Sequence, residues 1–398
     1  MYLNITLLAL MQALLMTNSS MLIATTALIG EMLAPRPSLA TLPMSMQYLA
    51  TLLLIFPISV AMQKWGRKPI LLLGTVSGVL GTAILAYAVI SGSFWLFALG
   101  SLIIGLLVAS GQFYRFAAAD AATADKRSRA ISLTLAGGII AAFLGSNLAR
   151  FTKDMMEPVY SAGFMILILV AILSVILAGF LKLPPMQPTA IGADHLPPRP
   201  INQLILQPKF IIAVLSGMIG GGSMILLMGA SPLAIGHAHH EFSTVTSVIQ
   251  WHIVAMFLPS FFTGDLIRRF GVTTIILLGG ILGFAAISIG LSSQSAAAFH
   301  GAMIFIGLSW NFLYIGGSAL LTETYHPSEK GRAQGINDSL IYGLIFIASL
   351  LTAKLEHGFG WYSVVYAAVP GMTIVTLAII WLKWFSPAKN AALQQRAK

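Results

Sequence analysis

The chain has 398 residues, of which 57% are hydrophobic and only 9% charged, with a formal net charge of +10. A soluble domain carries about 25% charged residues, so most of this chain has no aqueous surface to cover, and a soluble enzyme or regulator is excluded. The excess of base does not point to nucleic acid, because the basic residues come in twos and threes between apolar segments, the placement that topology signals require.

Hydrocarbon about 30 Å thick takes about 20 apolar residues per helix, and the chain divides into segments of that size. They are apolar all round, without the period-two alternation of barrel strands. The N-terminus, Met1-Tyr2-Leu3-Asn4, lacks the basic stretch of a signal peptide. Its apolar run to Gly30 also outlasts the usual signal core, so it reads as a retained first helix. Turn and charge signals place six spans near 5–30, 39–62, 69–90, 94–118, 130–149 and 161–182. Six more follow near 208–232, 244–264, 272–292, 296–320, 335–354 and 362–384. Between the sets lie Pro184, Pro185, Pro188, Pro197, Pro198 and Pro200, which no spanning helix accommodates. The expected class is an all-α integral membrane protein, with twelve transmembrane helices in two pseudo-symmetric six-helix bundles. Its parts are a bundle over 1–182, a linker over 183–207, a bundle over 208–385 and a tail over 386–398.

Charge orients the spans. With the N-terminus inside, the inner segments hold 17 basic residues and the outer ones only Arg36, Arg150, Lys153 and Lys354. That bias predicts an inner-membrane, multi-pass chain with both termini cytoplasmic.

The halves echo each other. Asp120 stands nine residues before Arg129, and Glu323 nine before Arg332; each pair falls between the fourth and fifth spans of its half. Gly66-Arg67 and Gly271 likewise follow the second span of each half. Matched position, side and charge sign indicate an internal duplication.

Two six-helix halves, a long linker and these loops resemble the major facilitator superfamily, across essentially the whole chain. The family's signature between its second and third helices is G-x-L-x-D-R-x-G-R-[RK]. The first copy here runs from Ser59 to Lys68 and keeps Gly66, Arg67 and Lys68, with Gln63 in place of the aspartate. The second copy, Gly264 to Gly271, keeps both glycines, Leu266 and Arg269, with Arg268 at the aspartate position. The resemblance implies alternating access and a charge latch on the cytoplasmic side, for which Asp120, Arg129, Glu323 and Arg332 are the candidates, with Gly66, Arg67 and Gly271 in the loops. The fifth span carries Gly137-Gly138, Ala141-Ala142 and Gly145-Ser146, similar to the family's antiporter signature without its proline. Close helix packing explains the same small residues.

Ionisable groups within spans are candidates for function. Arg115, late in the fourth span and preceded by Gln112, resembles the family's arginine that interacts with a proton carrier. Arginine keeps its own proton, so it biases a neighbouring acid or holds an anion; alternatively it reaches to the interface. Asp338 is a candidate carrier facing Trp310-Asn311, since taking a carboxylate out of water is the ordinary means of making one. Glu31 is a second candidate, or a solvated charge near Arg36. His252, in the middle of the eighth span, can relay a proton or bond a solute; a hydrogen-bonded interhelical histidine reads equally well. The resemblance assigns the path to the first, fourth, seventh and tenth helices. It thereby implies contacts from Asn18, Gln112, Arg115, Met224, Asn311 and Tyr314, with His252 added by its own chemistry. The loop His237-Ala238-His239-His240-Glu241 offers imidazole and carboxylate. Without a held second shell it reads as a surface loop, and no metal or other cofactor is expected.

No H-E-x-x-H, G-x-S-x-G or phosphate-cradling loop occurs, so an enzyme is not expected. The expected function is secondary active transport of a small organic solute, coupled to protons, by a monomer in the bilayer. The alternatives are a proton-independent facilitator and a transporter-like sensor.

Overall fold

The computed structural model describes residues 2–123, 127–183 and 199–385. Among them every regular element is helical. Lipid offers no partner to a free backbone group, so each span must close its hydrogen bonds internally. The first half comprises α1 (Tyr2–Leu33), α2 (Leu42–Trp65), α3 (Arg67–Ser91), α4 (Phe94–Gly111), α5 (Tyr114–Asp120), α6 (Arg127–Thr152) and α7 (Ser161–Phe180). After the short α8 (Ile201–Ile205) come α9 (Pro208–His237), α10 (Phe242–Phe257), α11 (Ser260–Phe270), α12 (Val272–Ser292), α13 (Ala296–Thr322), α14 (Lys330–Phe359) and α15 (Trp361–Ile380).

Eleven of these segments are long and apolar enough to cross a membrane, with α4 and α5 forming one. The twelfth is the pair α10 and α11, bent by 42°. Pro259 stands at that break; it has no N–H for the helical ladder and its ring crowds the preceding turn. Asn311 of α13 closes the gap. Its Nδ2 donates to Met256 O and to Ser260 Oγ, each at 2.7 Å, and its Oδ1 accepts from Thr263 Oγ1 at 2.8 Å.

Helices pack mainly within their own half: α1 on α6, α3 on α4 and α7, then α9 on α13 and α14, and α12 on α13 and α15. The halves meet along α6 with α10 and α2 with α14. Burial separates central helices from peripheral ones: 83% of the most apolar stretch of α9 is buried, against 33% for α7 and α15. Leu169, Ile172, Leu173 and Ile176 of α7 remain exposed, as lipid-facing side chains must be. The small residues of α6 seat it against α1. A Cβ at Gly137 would stand 2.5 Å from Ala9 O, and one at Gly145 2.5 Å from Thr17 O.

The duplication is visible in the backbone. Gly66 joins α2 to α3 with φ 84° and ψ 164°, and Gly271 joins α11 to α12 with φ 84° and ψ 148°. This region of conformational space is essentially confined to glycine, so both copies use the same single-residue turn.

Candidate functional site: a cavity between the halves

A cavity of about 190 Å³ lies between the two halves. Its aromatic wall is built by helical spacing, since Trp310 and Tyr314 are four apart and share one face of α13. Their rings stack at 4.9 Å and 11°, and Phe257 meets Trp310 edge-on at 6.1 Å. Tyr48 of α2 and Tyr342 of α14 add further rings, while Met16, Met224, Met228 and Met256 supply adaptable apolar contact. The polar groups are few: Gln12, Gln47 and Gln112, the hydroxyls of Ser19 and Ser20, and one charge, Arg115.

Arg115 sits where the fourth span breaks between α4 and α5. Its Nε is buried without a hydrogen-bond partner. Across the cavity it interacts electrostatically with Tyr314, Asp338 and Tyr342, so the cation of the first half meets groups of the second. Asp338 accepts a hydrogen bond from Asn337 Nδ2 at 3.0 Å. An apolar, aromatic-walled chamber with a few convergent polar groups is the usual form of a small-molecule site.

Of the residues proposed for substrate from sequence, Gln112, Arg115, Met224 and Tyr314 lie on this wall. Asn18, His252 and Asn311 lie off it. Asn18 is 3% exposed and donates to Thr82 Oγ1 of α3 at 3.3 Å. His252 is fully buried, with Nδ1 2.7 Å from Met303 O, and Asn311 spans the break of the eighth span. The proton candidates therefore occupy three places: Arg115 on the cavity wall with Asp338 behind it in electrostatic reach, His252 between α10 and α13, and Glu31 at the far end of α1. Glu31 contacts His237 at 3.0 Å rather than standing as a lone solvated charge. The loop histidines disperse, with His240 Nε2 2.8 Å from Gln294 O.

The gate candidates also separate. Arg67 holds Asp120 through Nε at 2.7 Å and Nη2 at 2.6 Å. Glu323 meets Lys209 at 2.7 Å instead of Arg332, which is exposed and forms no ion pair among the described residues. The Arg129 side chain lies outside the described residues. Arg67 has no counterpart in the second copy, because Val272 follows Gly271; Lys209 of α9 supplies the cation there.

Bonds between the halves gather at the opposite end. Thr41 Oγ1 donates to Ser349 O at 2.9 Å, Ser349 Oγ donates to Ser45 Oγ at 2.9 Å, and Glu31 pairs with His237. At the end carrying Asp120 and Glu323, no ion pair among the described residues joins the two bundles: Arg67–Asp120, Lys209–Glu323 and Arg268–Asp265 each lie within one bundle, and Arg199 of the linker pairs with Glu329 of the second.

Twelve spans, a repeated glycine turn and a cavity between the halves agree with the comparison to known families. The model described as Major Facilitator Superfamily matches residues 8–337 and 213–398. The chain belongs to the major facilitator superfamily. It is therefore a multi-pass membrane transporter rather than an enzyme. It is 36% identical over 382 residues to "Riboflavin transporter RfnT" of Brucella anthropi, covering 95% of each chain. It is also 26% identical over 334 residues to "Uncharacterized MFS-type transporter YddS" of Bacillus subtilis, covering 79% of this chain and 76% of that one. A shorter match, 32% over 190 residues, is to "Probable galactarate/D-glucarate transporter GudP" of Bacillus subtilis; it covers 44% of this chain and 38% of that one.

Sequence reasoning missed Gln47, Tyr48, Phe257 and Tyr342. Within a span, an aromatic that lines a chamber is written with the same letters as one that packs. The four-residue spacing of Trp310 and Tyr314 was the one usable signal.

Proposed function

We propose that this protein is a secondary active transporter for a flat heteroaromatic solute of the flavin type, riboflavin being the first candidate. The observation that carries the reading is the stacked Trp310–Tyr314 pair beside Arg115 in the cavity between the halves. A planar ring system gains by stacking on such a face. Arg115 is placed to donate to ring carbonyls, and Gln12, Gln47 and Gln112 to bond a hydroxylated chain. The similarity to a riboflavin transporter over 95% of each chain supports the same class.

The bundles over 1–182 and 208–385 rock about the cavity, joined by the 183–207 linker, with the linker and the 386–398 tail on the cytoplasmic side of the inner membrane. Each chain holds a complete cavity of its own, which suits a monomer. Asp338 carries the coupling proton and Arg115 responds to its charge from the other half. The Arg67–Asp120 and Lys209–Glu323 pairs remodel as the cytoplasmic side closes.

The test is riboflavin uptake by proteoliposomes with and without an imposed pH gradient. Saturable uptake that the gradient accelerates, and that Asp338→Asn uncouples from it, is the expected result. Absence of uptake overturns the flavin assignment. Uptake indifferent to the gradient overturns the coupling and leaves a facilitator.

A further inference from the structure

A second cluster of functional side chains lies at the end of the molecule remote from the gate pairs. Glu31 of α1, His237 of α9 and His357 of α14 bring one ligand atom each to within 4.8 Å of one another. Glu31 Oε1 is 3.0 Å from His237 Nε2 and 3.6 Å from His357 Nε2. Around a tetrahedral zinc ion with bonds of about 2.0–2.1 Å, ligand atoms stand roughly 3.3–3.5 Å apart. The two separations to Glu31 bracket that spacing, and the two imidazoles, whose ligand atoms lie within 4.8 Å of each other, would draw together on an ion.

Between His237 and its two carboxylates there is room for one added positive charge, supplied by a proton or, at Nε2, by a metal ion. The Nδ1 of His237 is 3.0 Å from Glu356 Oε1 while its Nε2 is 3.0 Å from Glu31 Oε1. A neutral imidazole has one N–H, so one of these contacts would set a lone pair against a carboxylate. Glu356 is 4% exposed and its Oε2 is buried without a partner; His357 Nε2 is likewise buried without a hydrogen bond. A carboxylate accepting from Nδ1–H fixes the tautomer that turns Nε2 outward as a ligand, an arrangement that commonly backs a metal-bound histidine.

We propose that Glu31, His237 and His357 form a site for a divalent transition ion of the zinc class, with Glu356 orienting His237 from behind. One carboxylate and two imidazoles suit zinc and leave a fourth position for water. The His237 side chain is 45% exposed, which gives the ion a path of entry. The ligands come from both halves, so the site exists only while the ends of α1, α9 and α14 are together. An ion bound there stabilises that conformation by mass action and slows its conversion to the other. This consequence rests on the alternating-access reading; the binding itself does not.

The experiment titrates chelator-stripped full-length protein in detergent with Zn²⁺ by calorimetry, with Co²⁺ absorption reporting the ligand set. One ion per chain is expected. Affinity should fall at least roughly tenfold in His357→Ala and Glu31→Gln, and roughly 10–100-fold in Glu356→Gln. The exposed His239, outside the cluster, should be replaceable by alanine without effect. Metal-free melting curves, with His357→Gln as a second variant, separate lost ligation from lost folding. Absence of Zn²⁺ binding, or a loss in His239→Ala as large as in His357→Ala, overturns the site. In proteoliposomes, Zn²⁺ should slow solute uptake by the parent protein and not by His357→Ala. Binding at the expected ligands without that inhibition keeps the site and overturns the clamp. Absence of any uptake strikes the transport reading and leaves the calorimetric result standing.

Discussion

Asn311→Leu perturbs the bent eighth span without opening space, because leucine keeps the branched heavy-atom skeleton of asparagine with bulkier methyl ends. It removes three side-chain hydrogen bonds, to Met256 O, Ser260 Oγ and Thr263 Oγ1. In membrane proteins such bonds average about 0.6 kcal/mol each, so their joint loss is worth roughly 2 kcal/mol. The hydroxyl of Thr263 keeps its second partner, Pro259 O at 2.7 Å. Met256 O at the break is left buried beside a proline that cannot serve it, which adds about 1–3 kcal/mol. The expected destabilisation is therefore about 3–5 kcal/mol, read as a fall of several degrees in the melting temperature followed by circular dichroism in detergent. Thr263→Val, which deletes one shared bond, should cost less than about 1 kcal/mol. Folded Asn311→Leu protein should bind riboflavin within twofold of the parent, since Asn311 is not on the cavity wall. Equal melting of Asn311→Leu and the parent would refute the role of Asn311 at the break, and a collapse of affinity in folded protein would return it to the binding site.

Trp310→Ala should weaken riboflavin binding by roughly 5–150-fold, the equivalent of about 1–3 kcal/mol of ring stacking, with Trp310→Phe losing less; equilibrium titration of flavin fluorescence reads both. Gly66→Ala and Gly271→Ala should each cost about 1–3 kcal/mol in melting experiments, and by similar amounts, because the two turns share one conformation. Glu329→Gln should loosen the chain at Arg199 and speed its cleavage by a protease of broad specificity (the Arg199–Pro200 bond itself resists trypsin), because Glu329 accepts from the Arg199 backbone N–H at 2.7 Å and from its guanidinium at 2.6 and 2.8 Å. These bonds hold the Glu329 carboxyl well below the usual carboxylate range. A depressed carboxyl binds fewer protons in the folded state, so its contribution is complete above the ordinary value near 4.5 and is lost only as pH falls further toward the depressed one. Protection from a protease active at low pH should accordingly persist at pH 5 and decline in stronger acid.

The architecture was legible because hydrocarbon imposes a length and a composition on every span, and because the two loop glycines carry a backbone requirement that no other residue meets. The Arg67–Asp120 pair was half legible. Both residues stood out as gate candidates, but the pairing of Asp120 with Arg67 depends on where α3 begins. Its second copy could not be read, since Val272 replaces the cation and Lys209 arrives from another helix. The cavity wall was the least legible part. Tyr48 and Tyr342 differ from packed tyrosines only in the direction they face, which depends on the rotation of each helix in its bundle. The cluster at Glu31 was hidden for a similar reason. His237 was noticed for its loop neighbours, whereas its partners are Glu31, 206 residues earlier, and the carboxylate and imidazole of Glu356 and His357.

The most direct test of transport by separation of the halves uses the seam between α2 and α14. The chain has no cysteine, and Ser45 Oγ and Ser349 Oγ are 2.9 Å apart across that seam, so Ser45→Cys with Ser349→Cys introduces the only thiols. Solute uptake by proteoliposomes should stop on oxidation and return on reduction, with either single variant unaffected. Undiminished uptake by fully cross-linked protein, verified by mass, would contradict the account.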